Sequence, residues 1–427
     1  MRKNNTINDM FSPNMREVIT VQVGQCGNQI GKEFWNKIAF EHGISKNGDL
    51  IEAKEGDRKD AFFYETEDNK FMPRAILVDL EPRVIDSFSE TFYNHENVFI
   101  DSSGGGAGNN WALGYSKGLE FKEDILDIVQ REAECSDNME SFMFMHSIAG
   151  GTGSGLGSNL LENIRELYPK KIIQSYSIFP NNKEISDVVV QPYNSMLTLQ
   201  RLALYSDTVI VIDNGALTRI NSKKTDFNNF TMINDLISTV ISTSTSTLRF
   251  PTHYLSDIRS INAILVPIDR FKFIIPSYTP FINSTVNRRT DSLDILRKLL
   301  SKTNRLATTE DSKINKTISI VNILSGMDCD DIQKGVINVL DKGLINFVDW
   351  IPPSYHYVKT KLEKRAGLAL NNGTEVAGLL RNTMDQFDRL KRKNAFTEMY
   401  RKYSDDLHEF DECKEVIQNL IDAYDTL

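Results

Sequence analysis

The strongest chemical signal in the sequence is one run of ten residues, His146-Ser147-Ile148-Ala149-Gly150-Gly151-Thr152-Gly153-Ser154-Gly155. Before it, Phe142-Met143-Phe144-Met145 reads as a short buried strand. After it, Leu156, Leu160, Leu161, Ile164 and Leu167 recur at helical spacing until Pro169 ends the pattern. A glycine turn that opens a helix lets backbone approach a ligand closely, and the unpaired N–H groups at the positive end of the helix dipole favour an anion. Phosphate is the guest this chemistry predicts.

Four further segments fit the same purpose. Gly24-Gln25-Cys26-Gly27-Asn28-Gln29 follows an apolar run and opens a helix containing Ile30, Phe34 and Trp35, a second phosphate contact. Asp79-Leu80-Glu81-Pro82 places two carboxylates where they could hold Mg2+ through water. Gly104-Gly105-Gly106-Ala107-Gly108-Asn109-Asn110-Trp111 is a third glycine-rich turn into a helix. Asp187 and Gln191, with Asp213-Asn214, could read ribose and base through hydrogen bonds. Any one glycine turn can serve tight packing alone, but five such loops in this order point to a ligand. No G-x-x-x-x-G-K-[ST] run occurs in this region and no G-x-G-x-x-G follows the first strand, which argues against a P-loop NTPase and against a nicotinamide dehydrogenase. Cys26 has no histidine beside it in sequence, and His146-Ser147 forms no dyad, because neighbours on a strand point to opposite faces.

These loops need rigid elements behind them. Apolar runs at Val18 to Val23, Ala75 to Val78, Phe142 to Met145, Ile172 to Ile178 and Thr208 to Ile212 alternate with helical patterns, the signature of a doubly wound parallel sheet whose ligand lies at the carboxyl ends of its strands. A helical stripe from Phe230 to Leu248 predicts a long connecting helix. Ile264 to Val266, Phe271 to Ile275 and Thr317 to Ile323 predict strands of a second, smaller mixed α/β domain, and the sequence from about Glu375 reads as helical. The expected organisation is a flexible extension over 1–14, a nucleotide-binding domain over 15–229, the connecting helix over 230–249, an intermediate α/β domain over 250–374 and a helical region over 375–427.

Bulk properties fit a globular protein of more than one domain. The 427 residues are 40% hydrophobic and 25% charged, and no segment approaches the apolar length of a membrane helix. A net charge of -9 disfavours nonspecific nucleic-acid binding. The four cysteines, Cys26, Cys135, Cys329 and Cys413, show no CxxC pairing, and the amino-terminal stretch lacks a secretory apolar core, so a reducing cytoplasmic setting without membrane or nucleic-acid partners is expected.

Taken together, Gly24 to Gln29, Gly106 to Trp111 and Ala149 to Gly157 resemble the tubulin family, and the resemblance runs from about Met15 to Leu427. Glu41-His42-Gly43-Ile44-Ser45, Gly56-Asp57-Arg58-Lys59-Asp60, His146 to Gly151, the stretch Asp187 to Asn194 and the final helix Lys414 to Tyr424 are similar to the gamma class in particular. Gln191 stands where alpha and beta subunits usually carry Glu, and Asp425-Thr426-Leu427 is not followed by a Glu-rich run.

The resemblance implies GTP or GDP with Mg2+. Gln25 and Cys26 would touch phosphates, Asp79 and Glu81 would lie near the metal, and Ala107, Gly108 and Asn109 would cradle the terminal phosphate. Ser147 and Gly151 to Ser154 would hold the others, Asp187 would face the ribose, Gln191 would lie in the nucleotide site, and Asn214, Phe230 and Asn234 would read guanine. In Leu255-Ser256-Asp257-Ile258-Arg259-Ser260, serine occupies the place of the alpha-class Glu that activates water on a neighbouring subunit's nucleotide, and Leu255 replaces the usual Asn. The resemblance further implies a templating subunit of microtubule nucleation in the cytoskeleton, at a centrosome or spindle pole body. Its partners would be alpha/beta-tubulin dimers and gamma-tubulin complex proteins, it would associate laterally with its own copies in a ring, and any slow GTP hydrolysis would be completed by a stacked alpha subunit. The alternative is a polymer-forming tubulin-like GTPase that is itself the lattice subunit.

Overall fold

Strand-forming residues dominate the segments that build the centre of the molecule. The computed structural model describes residues 16–54, 56–86, 93–181, 188–222, 230–252, 254–281, 291–309, 315–362, 364–403 and 408–427. Among them are β1 (Glu17–Val23), β2 (Phe63–Glu65), β3 (Phe71–Pro73), β4 (Ala75–Asp79), β5 (Val98–Ile100) and β6 (Met139–Ser147). There follow β7 (Ile172–Phe179), β8 (Thr208–Asp213), β9 (Phe273–Thr279), β10 (Thr317–Ser325), β11 (Ser354–Lys359) and β12 (Ala366–Gly373). All five apolar runs of the amino-terminal half form strands. Every residue of β1, β4 and β8 is buried, as expected of a parallel sheet covered by helices on both faces.

Ten strands make one sheet in the order β11-β10-β12-β9-β8-β7-β6-β1-β4-β5, while β2 and β3 form a separate hairpin. From β5 to β9 neighbouring strands run parallel. β12 lies antiparallel to both β9 and β10. The smaller mixed α/β part therefore continues the nucleotide-side sheet instead of forming a second one. The seam is short, with Val209 opposite Phe273 and Ile210 opposite Ile274. The apolar run at Ile264 to Val266, expected as a strand, instead ends the helix Ile258–Leu265. Its apolar residues Ile258, Ile261 and Leu265 recur at three- and four-residue intervals and are buried on one helical face, so the short window misread a 3.6-residue period as a strand. β11 and β12 carry polar residues such as Ser354, His356, Asn371 and Asn372, and their strand character was not legible without the sheet they join.

The helix Phe230–Arg249 crosses behind the sheet and is fastened along the helix Gly24–Glu41. Lys37 Nζ donates to Asp235 Oδ1 at 2.8 Å and Ser242 Oγ to Glu41 Oε1 at 2.8 Å. The wholly buried Arg249 pairs with Glu41 at 2.7 Å. The carboxyl-terminal helices Val376–Lys391 and His408–Asp425 pack on the opposite face through Phe387, Phe410, Ile417 and Tyr424.

The continuity of the sheet makes a prediction. Ile274→Ala empties a fully buried site at the seam and is expected to cost roughly 2–5 kcal/mol. Guanidinium unfolding should show tryptophan fluorescence and far-UV circular dichroism shifting together, and a lower midpoint for one probe alone would mean that the two halves of the sheet unfold separately.

Candidate nucleotide-binding site

The glycine loops converge because the strands that precede them are neighbours. β6, β1 and β4 are adjacent, so the segments after their carboxyl ends lie side by side, and the turn after β5 closes on them. Contact is close enough to require missing side chains. Gly24 sits at φ 73°, and a Cβ there would lie 2.8 Å from the Gly153 nitrogen. A Cβ on Gly151 would stand 2.7 Å from that of Ala107, and one on Gly155 would reach 2.1 Å from the Trp111 carbonyl oxygen. Gly105, Gly106, Gly108 and Gly150 behave differently, for a Cβ at any of them would meet nothing within 4 Å among the described residues. One set of glycines closes the loops on one another, and the other faces open space, which is the form of a cradle for a polyanion.

The turn into the main helix is tight. Thr152–Leu156 forms a π-helical turn that leads into the helix Gly157–Leu167. Ser154 is fully buried, and its hydroxyl donates to the Gly150 carbonyl and, at 3.3 Å, to that of Gly151, so it ties the loop together. The Ser147 hydroxyl accepts from the Ala149 N–H at 3.3 Å. His146 braces the turn from beneath: Nδ1 lies 2.9 Å from the Gly153 carbonyl and Nε2 2.8 Å from Ser177 Oγ. A carbonyl only accepts, so Nδ1 carries the proton and Nε2 accepts from the serine. Burial pushes the imidazole down to about 4.

The acidic corner differs in its two members. Glu81 is exposed, whereas Asp79 is buried at 2% exposure. Asp79 Oδ1 accepts from the Glu81 N–H at 3.2 Å, and among the described residues Oδ2 has no hydrogen-bond partner. Burial raises the carboxyl to about 6, against the opposing pull of the Glu81 and Leu80 N–H groups and the Asn28 side chain. An orphaned buried carboxylate oxygen beside a phosphate cradle fits a hydrated divalent cation, which prefers oxygen ligands and retains several waters. Cys26 lies against the core, and burial pushes its thiol up to about 12, which keeps it protonated and unsuited to nucleophilic attack.

Gln25 is exposed and Cys26 half-buried at the mouth of the first helix. Ala107 is buried, while Gly108 and Asn109 sit at φ 52° and 53° on the exposed crest of the third loop. Gln191 opens the helix Gln191–Tyr205, and half-buried Asn214 follows β8. Asn234 lies half-buried one turn into the connecting helix, which Phe230 begins. Asp187 and the side chain of Phe230 fall outside the described residues. Asp213, a candidate ribose or base contact in the sequence, accepts from the N–H groups of Gly215 at 2.9 Å and Thr308 at 3.0 Å.

Two asparagines escaped the sequence reading. Asn28 Nδ2 donates to the carbonyls of Gly24 at 3.1 Å and Val78 at 3.2 Å, joining the first loop to the strand that carries Asp79. Asn194 bonds to residues 109, 111 and 149. Both stand in segments whose motifs were visible, but their partners are remote in sequence and no local pattern reveals them.

Residues 17–222 match the model of the Tubulin/FtsZ family GTPase domain, and residues 269–385 match the tubulin C-terminal domain. The two matches together take in more than half of the chain. The chain belongs to the tubulin family. Membership in the Tubulin/FtsZ GTPases makes GTP or GDP the nucleotide of this family's site. The boundary between the matches leaves out the 223–268 stretch, in which the connecting helix lies.

Three outcomes follow. Gly150→Ala adds a methyl group to open space and should leave the nucleotide-free protein within about 0.5 kcal/mol of wild-type stability while weakening GTP binding. Gly151→Ala must push two loops apart and should lower both, as read by thermal unfolding and equilibrium nucleotide binding. For His146, the folded protein stays neutral to about pH 4 while the unfolded chain takes up a proton near pH 6.5. Stability should therefore fall as pH drops through that window, by on the order of 3 kcal/mol. The slope should be shallower in His146→Gln, and equal slopes in the two proteins would refute a neutral buried imidazole.

Proposed function

We propose that this chain is a gamma-class tubulin that templates microtubule nucleation at spindle poles or other microtubule-organising centres. Its GTP-bound face accepts alpha/beta-tubulin dimers, its opposite face docks on gamma-tubulin complex proteins, and its copies stand side by side in a ring. Formation of the first few contacts in a microtubule does not offset the lost translational freedom of the subunits, and a preformed ring removes that barrier.

The loop Leu255 to Ser260 carries this reading. Ser260 stands where an alpha subunit has its water-activating Glu, and a serine hydroxyl is no substitute for a carboxylate base. The one carboxylate of that loop, Asp257, is turned inward: it pairs with Arg16, which also lies 3.4 Å from Glu140. The Arg259 N–H donates to Glu140 at 3.3 Å. Leu255, buried and at φ 56°, occupies a left-handed position that the family's usual Asn tolerates better. A copy of this chain stacked on another would bring no free carboxylate from this loop to the nucleotide beneath it, which favours a template over a subunit that drives its own lattice cycle. In this reading Gln25, Cys26, Ala107, Gly108, Asn109, Ser147 and Gly151 to Ser154 surround the phosphates. Asp79 and Glu81 hold Mg2+ through water, Asp187 and Gln191 face the ribose, and Asn214, Phe230 and Asn234 read guanine. The cation would neutralise phosphate charge.

Imaging of the tagged protein in its own dividing cells tests the role. Discrete foci at spindle poles, with few microtubules after depletion, are expected. Continuous labelling along microtubules, or filaments made of this chain alone, would refute the template and favour the lattice subunit.

A further inference from the structure

Asn194 is fully buried, and its side-chain amide makes four hydrogen bonds. Nδ2 donates to the Asn109 carbonyl at 2.8 Å and to the Ala149 carbonyl at 2.9 Å. Oδ1 accepts from the Trp111 N–H at 2.9 Å and from the Tyr400 hydroxyl at 2.6 Å. Both carbonyls can only accept and the Trp111 N–H can only donate, so the orientation of the amide is dictated by its partners. Asparagine alone among residues of this size offers two donors and two acceptor sites in one plane. Three of the four bonds go to the two loops whose glycines face the open cradle. The fourth goes to the carboxyl-terminal region, where Tyr400 is 1% exposed and its ring packs edge-on against Tyr193 and Phe410. The neighbouring Met399 carbonyl accepts from Asn110 Nδ2 at 3.0 Å, so a second bond ties the same turn to the same loop.

We infer that Asn194 is a positioning residue for the nucleotide's terminal phosphate, and that Tyr400 extends this positioning to the carboxyl-terminal helices. Resting on the guanine-nucleotide site proposed above, the inference adds a dependence of GTP over GDP discrimination on two residues that touch no nucleotide. Asn194 holds the Asn109 and Ala149 carbonyls at one spacing, which fixes the two loops around one point of the cradle. A ligand with a terminal phosphate uses that point; one without it does not. A terminal phosphate that pulls on the Asn109 loop also pulls, through the amide and the Asn110 bond, on the turn that carries Tyr400.

Asn194→Asp tests this, because a carboxylate oxygen would face the two carbonyls in place of their donor with little change in volume. Tyr400→Phe is milder: it removes one hydroxyl and keeps the ring packing. Affinities for GTP and GDP are measured on the full chain by competition with a fluorescent guanine nucleotide, beside thermal unfolding without nucleotide. Asn194→Asp should weaken GTP at least about tenfold and GDP by less than about threefold, and Tyr400→Phe should weaken GTP about threefold with GDP unchanged. A purely structural role would lower the melting temperature or both affinities in parallel, and equal losses for GTP and GDP in both variants would overturn the inference while leaving the site itself intact. Failure of the wild-type chain to bind either nucleotide would instead overturn the site, and the inference with it.

Discussion

Everything at the site depends on backbone meeting backbone. Loops that follow β1, β4, β5 and β6 must close to van der Waals contact at one edge of the sheet, and a Cβ at Gly24, Gly151 or Gly155 would separate them. An N–H is a directional donor, and donors from several loops can converge on one anion only if no side chain stands between the chains that carry them. The parallel sheet supplies the alignment, since its strands all end on the same side. The glycines supply the approach, while the buried amides of Asn28 and Asn194 hold the loops at fixed spacing.

The buried polar groups around this edge divide by whether the fold satisfies them. Asn194, Asp213, Ser154 and His146 are engaged on every side that the structure describes, and each fixes a segment of backbone. Asp79 keeps one carboxylate oxygen without a hydrogen-bond partner among the described residues and is held at a raised pKa by burial. A group left in that condition destabilises the fold when it ionises alone, and a cation relieves it. A cation bound at this corner would therefore link stability to ligand binding, and the hydrogen bond from Tyr400 to Asn194 ties the carboxyl-terminal region to the same loops.

The lower part of the molecule shows the opposite economy of charge. Arg16, Glu140 and Asp257 gather at the amino-terminal ends of β1 and β6 and draw the loop before the helix Ile258–Leu265 inward. An ion pair of this kind removes a carboxylate from any role toward a neighbouring molecule, since an arginine partner competes with water for it. The same chain thus turns glycine backbone toward one end of the sheet and ties the Asp257 carboxylate to Arg16 at the other.

The sequence by itself determined the strands of the amino-terminal sheet, the glycine loops at their ends, the connecting helix and the terminal helices, because each is written in local periodicity or in runs of residues with one conformational use. The family was also legible, since its motifs are contiguous. Only the tertiary structure decided that the smaller α/β part extends the first sheet across β8 and β9, that Ile264 to Val266 closes a helix, and that Asp213 accepts from Gly215 and Thr308. It alone joined Asn194 to residues 109, 111, 149 and 400. Register, burial and hydrogen-bond partnership between distant segments depend on which surfaces meet, and a sequence pattern records only what each segment is able to form before they do.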